Sequence, residues 1–203
     1  VDEGEIAKIK QINVIGANAF KEKELIDLFV LRTPNWLSWY TKNDQYSKQK
    51  LSGDLETLRS FYLNRGYLEF NVESTQVSIS SDKQDIYITV NISEGEQYSI
   101  SSVKLAGDLI LPEEELVKLV KVAPGETYSR ERLTESTKAI ADRLGNDGYA
   151  FANVNAAPEL DKEKRRVAFT IFVDPGRRVY VRNINVTGNS RSRDEVIRRE
   201  MRQ

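Results

Sequence analysis

Ser47 and Lys50 stand at the Ser-x-x-Lys spacing of a serine acyl-enzyme pair, in which the amine would take the hydroxyl proton. No companion motif accompanies them, and Ser47 is needed as the N-cap of a helix. The chain contains no His and no Cys. That removes the commonest general base, thiolate nucleophiles, disulfides and Cys-type metal sites, and with them zinc sites, Ser-His-Asp triads and Cys-His pairs. An enzyme would have to rely on carboxylates, Lys or Tyr. Glu113, Glu114 and Glu115 read as the solvated start of a helix, and Arg191, Arg193, Arg198, Arg199 and Arg202 as a basic helix face. Asn91-Ile92-Ser93 and Asn185-Val186-Thr187 are glycosylation-type triplets of low specificity. No catalytic residue, cofactor site or metal site is assigned from these residues, and a binding or structural module is the better starting point.

Composition supports that choice. Thirty basic against 31 acidic residues argue against a general nucleic-acid binder. Hydrophobic residues at 39% are enough for a core, and 203 residues make one large domain or two small ones. No apolar run reaches the roughly 18 residues of a membrane-spanning helix. The start lacks a basic region followed by an apolar stretch, so no signal peptide is expected in this sequence.

The elements that must position any site come as a repeat. Val1-Asp2-Glu3-Gly4, Ile92-Ser93-Glu94-Gly95 and Val173-Asp174-Pro175-Gly176 share one opening, and 12 positions after each Gly a second one follows: Gly16, Gly107 and Gly188. The stretches between (Ile12, Val14; Val103, Leu105; Ile184, Val186) alternate apolar and polar, the period of a half-buried strand. Leu25, Leu116 and Ile197 lie nine residues past the closing Gly, each in a helical start. Pro112 suits a first helical position, and Ser192 and Glu195 have capping-box spacing.

The second helix gives the firmest match. Leu51, Leu55, Leu58 and Tyr62 share one helical face, and 82 residues on stand Leu133, Thr137, Ile140 and Leu144. Ser47 and Ser129 precede the two helices as N-caps, and both helices stop at Asn-x-Gly-Tyr, with Gly66 and Gly148 expected at positive φ. Two strands close each copy. The last (Ile86, Ile88, Val90, Ile92; Val167, Phe169, Ile171, Val173) is the most continuously apolar and should be central. The fold class is α+β: tandem β-α-α-β-β units, each a three-stranded sheet covered by two helices.

Gly16, Gly107 and Gly188 are 91 and 81 residues apart, and nine of the ten extra residues lie between Gly16 and Tyr46. The first copy therefore carries an enlarged loop with Trp36, Trp39 and Tyr40. A chain that opens on the end of one repeat and stops inside another is expected to be part of a longer tandem array.

The unit of about 80 residues, its x-x-Glu-Gly boundary and its Asn-x-Gly-Tyr turn resemble POTRA (polypeptide-transport-associated) domains. Residues 49–60 and the closing Arg198-Arg199-Glu200-Met201-Arg202-Gln203 resemble the POTRA domains that serve outer-membrane β-barrel assembly in Gram-negative bacteria. By order, 1–4 would end a preceding repeat, 5–95 would be a third domain, 96–176 a fourth and 177–203 the truncated start of the next. Thr137 and Pro175 depart from the pattern. The resemblance implies a non-catalytic scaffold on the periplasmic side of the outer membrane, anchored only through a C-terminal barrel absent from this sequence. It implies accessory lipoproteins as partners, with a BamB-like propeller on residues 5–95, and unfolded outer-membrane proteins as clients. Leu31 and Arg32 match the family motif for the propeller contact. A POTRA module of another transporter, secretion or division protein is the alternative, and a carboxylate enzyme is the distant one.

Two sites follow. The strand beginning near Leu68 (Leu68, Phe70, Val72, Thr75, Val77) should be an exposed edge that accepts an extended peptide. Its apolar phase slips from even to odd positions, which marks a bulge, and it has no Pro. The corresponding strand near Ala150 carries Pro158, which blunts an edge. Trp36, Trp39 and Tyr40, with Leu31 and Arg32, either dock a partner or cap their own domain.

Overall fold

Apolar residues on one face of successive strands build each sheet. The computed structural model describes residues 7–33 and 46–180. In β1 (Lys8–Ile15), Ile9, Ile12 and Val14 are buried, and a bulge at Lys10 lets Ile9 and Ile12 share a face three positions apart. β3 (Asp85–Ser93) buries Ile86, Ile88, Val90 and Ile92 by strict alternation. With β2 (Asn71–Ile79) these make a sheet of order β1-β3-β2, β1 parallel and β2 antiparallel to β3. β4 (Ser99–Gly107), β5 (Asn153–Asp161) and β6 (Arg166–Asp174) repeat the plan as β4-β6-β5, with a bulge at Ser101 matching that at Lys10. The last strand of each copy is central, as its apolar run requires.

Among the described residues, two helices face each sheet. α1 (Glu22–Ile26) and α2 (Lys48–Leu63) bury Leu25, Leu51, Leu58 and Tyr62 against β1 and β3. α3 (Glu113–Val117) and α4 (Arg130–Asn146) bury Leu116, Leu133, Ile140 and Leu144 against β4 and β6. Each such side chain contributes about 1.5–3 kcal/mol through burial. Pro112 sits one residue earlier than expected, as the N-cap, where its carbonyl accepts from Leu116 N–H. Ser47 and Ser129 are the side-chain N-caps of α2 and α4. The Ser47 hydroxyl accepts the Lys50 backbone N–H, which accounts for the Ser-x-x-Lys spacing.

An acid inside the apolar stripe of α2 ties the helices together. Asp54, 1% exposed, accepts from Val30 N–H at 2.7 Å and Leu31 N–H at 3.0 Å. The equivalent Ser136 accepts from Lys121 N–H at 2.8 Å. A buried acceptor thus satisfies backbone donors of the segment that follows the first helix.

The Asn-x-Gly-Tyr turn is also the joint between the repeats. Gly66 has φ +95° and Gly148 φ +93°, the left-handed conformation that ends a helix. Gly66 also lies so close to the second repeat that a Cβ would stand 2.8 Å from Thr127 Cγ2 and 3.0 Å from Tyr98 O. Its carbonyl accepts from Tyr98 N–H at 2.8 Å, and Gly148 O accepts from Val179 N–H at the same distance. Asn64 Oδ1 accepts from Glu131 N–H at 2.9 Å, at the start of α4. Leu63 and Leu68 pack against the second core.

Candidate strand-docking edge

β2 pairs with β3 on one side and has no hydrogen-bonded strand on the other among the described residues. Ser80 N–H donates to Asp85 O at 2.9 Å. Pairing parity in an antiparallel ladder then turns Ser78, Gln76 and Ser74 toward β3. The N–H and C=O groups of Thr75, Val77 and Ile79 point to the open side.

The side chains of those three residues lie on the helix-facing side of the sheet. Thr75 is opposite Val90, Val77 opposite Ile88 and Ile79 opposite Ile86. Apolar rows therefore cross the sheet as Ile9–Ile86–Ile79 and Ile12–Ile88–Val77. The inner two members of each row are buried, while Val77 is 38% and Ile79 60% exposed. On the opposite face the rows are Gln11–Tyr87–Ser78 and Asn13–Thr89–Gln76.

The other edges carry devices against pairing. In β5 the row Val103–Phe169–Pro158 puts Pro158 where β2 has Val77. The β5 register runs unbroken from Asn153 to Asp161, so the nitrogen without a proton faces the open side. β1 is bulged at Lys10 and places Lys8 and Lys10 along its edge. The start of β4 is covered by residues 125–128, with Gly125 N–H donating to Ile100 O at 2.7 Å and Tyr128 N–H to Tyr98 O at 3.1 Å.

Several expected site residues lie elsewhere. The strand starts at Asn71, three residues after Leu68. Leu68 occupies a turn and packs on the second core, and Phe70 is buried and stacked on Tyr62 at 4.3 Å. Leu68 is held by packing on the second core and Phe70 by packing within its own, so neither lines an edge. Val72, opposite Ile92, precedes the bulge at Glu73, which accounts for the phase slip. The Thr75 side chain is half-buried toward the helices, and only its backbone faces outward. Leu31 is 0% exposed, its side chain in its own core. Arg32 is exposed and lines a cleft of about 410 Å³ with Lys10, Gln11, Ile12, Ile26, Asp27 and Thr33. Trp36, Trp39 and Tyr40, and the third-repeat residues from 181 on, lie outside the described residues, as do residues 1–4.

Residues of the joint escaped the sequence reading. Glu69 accepts from Lys162 and from Tyr98 Oη, the latter at 2.9 Å. The Lys162 hydrogen bond, then that of Tyr98, holds the Glu69 carboxyl below its ordinary pKa, and burial followed by Glu69 pushes the Tyr98 phenol up. Glu115 pairs with Arg143 at 2.7 Å, so the acidic run of α3 is partly a clamp onto α4. Nothing in the repeat period alone signals pairs that cross between repeats.

The POTRA family profile, described as surface antigen variable number repeat, matches residues 7–95 and 98–176. The chain belongs to the POTRA family. It is 34% identical over 204 residues to the outer membrane protein assembly factor BamA of Neisseria meningitidis, covering all of this chain and 26% of that protein. With BamA of Buchnera aphidicola the identity is 33% over 205 residues, again over the whole chain and 33% of the relative. The chain thus spans about a quarter to a third of these relatives. The crystal structure of Haemophilus influenzae BamA POTRA3-5 superposes with a TM-score of 0.81 and 29% identity, over 97% of this chain and 77% of that one. No helix among the described residues is long and apolar enough to cross a membrane.

Proposed function

We propose that this chain is a non-catalytic scaffold segment of an outer-membrane protein assembly factor, working on the periplasmic side of the outer membrane. Its two repeats, 5–95 and 96–176, act as third- and fourth-like POTRA domains, with a further repeat opening at 177. The first repeat receives extended segments of unfolded β-barrel clients along β2. The observation that carries this reading is the outward ladder of Thr75, Val77 and Ile79, set against Pro158 at the matching edge. Each main-chain bond adds only about 0.5–1.5 kcal/mol net, and ordering the peptide opposes it. Contact is therefore weak, as a transit site needs. Similarity over the whole chain to assembly factors favours this role over other POTRA-bearing proteins. An accessory lipoprotein docks on the first repeat through Arg32, beside the cleft, together with Trp36 and Trp39.

The edge reading is tested by titrating the isotope-labelled protein with a β-strand peptide and following amide shifts over 74–79. Thr75→Pro removes an outward N–H while leaving every bond to β3, so it should abolish those shifts in a folded protein. Shifts that persist unchanged would mean side-chain contact alone.

A further inference from the structure

We infer that the β2 edge selects strands by their side-chain alternation: it takes a segment with apolar residues on one face and polar residues on the other, as a transmembrane β-barrel strand has. The inference rests on the edge reading proposed above and adds to it a preference that main-chain pairing alone does not supply.

The two faces of the sheet differ at this edge. On the helix side, the rows Ile9–Ile86–Ile79 and Ile12–Ile88–Val77 end in apolar side chains that remain 60% and 38% exposed. On the other side, Ser74, Gln76 and Ser78 end rows built largely from Gln11, Asn13, Tyr87, Thr89 and Asn91. A strand paired to Thr75, Val77 and Ile79 places alternate side chains beside these two kinds of row. An apolar residue on the helix side covers Val77 or Ile79 and removes apolar surface from water. The same residue on the other face would meet Ser and Gln hydroxyl and amide groups and strip their water without replacing the hydrogen bonds. A one-residue slip exchanges the faces, so alternation also sets the register. The bulge at Glu73 ends the regular ladder, so the selected stretch is the one opposite 74–79.

The test uses three peptides of about eight residues with the labelled protein: Val and Ser alternating, the same composition with all Val followed by all Ser, and an all-polar one. The alternating peptide should bind roughly tenfold more tightly than the blocked one, a difference of about 1.4 kcal/mol, with shifts over 74–79 and methyl contacts to Val77 and Ile79. Val77→Ser with Ile79→Ser, both at exposed positions, should remove that advantage and leave binding at the all-polar level. Equal affinity of alternating and blocked peptides, with shifts over 74–79 in both, would overturn the selectivity and leave the edge reading intact. Absence of those shifts with all three peptides would overturn the edge reading itself.

Discussion

Tyr62 Oη donates to Glu94 Oε1 at 2.7 Å, and at the two corresponding positions of the second repeat stand Leu144 and Pro175. Glu94, 9% exposed, also accepts from Ala19 N–H at 3.1–3.2 Å. The boundary acid thus holds the chain end to the helix and to the segment after β1. Where the acid is absent, so is the phenol, and no buried hydroxyl is stranded.

Tyr62→Phe should destabilise the first repeat by about 1–3 kcal/mol, because a buried carboxylate loses a donor. Replacing Tyr62 and Glu94 together by Phe and Gln should cost less than the sum of the single changes. Urea unfolding of the four proteins of that cycle measures the coupling. Strict additivity would show that the bond contributes nothing.

Burial is the first cause that raises the phenols of Tyr62, Tyr98 and Tyr128 above their ordinary value. The sign follows from proton counting. Above about pH 10 the unfolded chain loses these protons while the folded one keeps them. Their stabilisation is therefore full below that value and is lost as pH rises further. Urea midpoints should fall steeply above it, and less steeply in Tyr62→Phe.

Gly66 and Gly148 share left-handed backbone but not surroundings. A Cβ at 66 meets Thr127, Gln97 and the Tyr98 carbonyl within 3.0 Å, whereas one at 148 first meets the flexible Arg178 side chain at 3.1 Å. Gly66→Ala should therefore cost more than Gly148→Ala, each by at least about 1 kcal/mol. Only the former should shift the amide signals of Tyr98 and Thr127. Thermal unfolding and one spectrum per variant decide it.

The helix caps, the central strands and the 82-residue echo of α2 were legible because each is local or periodic. The β2 bulge was legible as a phase slip. The start of β2 was not: Leu68 and Phe70 continue its alternation, but the second core claims the side chain of Leu68 and the first core that of Phe70. Leu31 looked like a contact residue, yet Asp54, the unexpected acid in an apolar stripe, pins its backbone and its side chain fills the core. Pairs such as Glu69–Lys162 depend on how the repeats meet, which no spacing encodes.

Glu69 links the repeats through Lys162 and Tyr98, with its pKa held down by those partners. A depressed carboxylate keeps its contribution above the ordinary value of about 4.3 and loses it as pH falls through the lower folded value. Residual dipolar couplings relating the two sheets should stay constant from neutral pH to about 5 and change below 4. Glu69→Gln should show the altered couplings at neutral pH and no further acid response. An unaltered Gln variant would make the pair irrelevant to the joint.

The edges themselves can be exchanged. Val77 and Pro158 occupy the same place in their sheets, each facing a buried residue of the central strand, Ile88 and Phe169. Val77 directs its N–H to the open side, so Val77→Pro removes no bond to β3, and its half-exposed side chain leaves the core intact. That variant should stay folded and lose peptide-induced shifts over 74–79. Pro158→Val restores an outward donor in a strand whose pairing to β6 is already continuous. It should gain shifts over 153–160 that the parent lacks, with an affinity as weak as that of β2, since the number of outward groups is similar. The double variant should move binding from the first repeat to the second. If Val77→Pro still binds at 74–79, an open ladder is not what the peptide uses. If Pro158→Val gains nothing, a free donor is insufficient and the exposed Val77 and Ile79 side chains carry the difference between the edges.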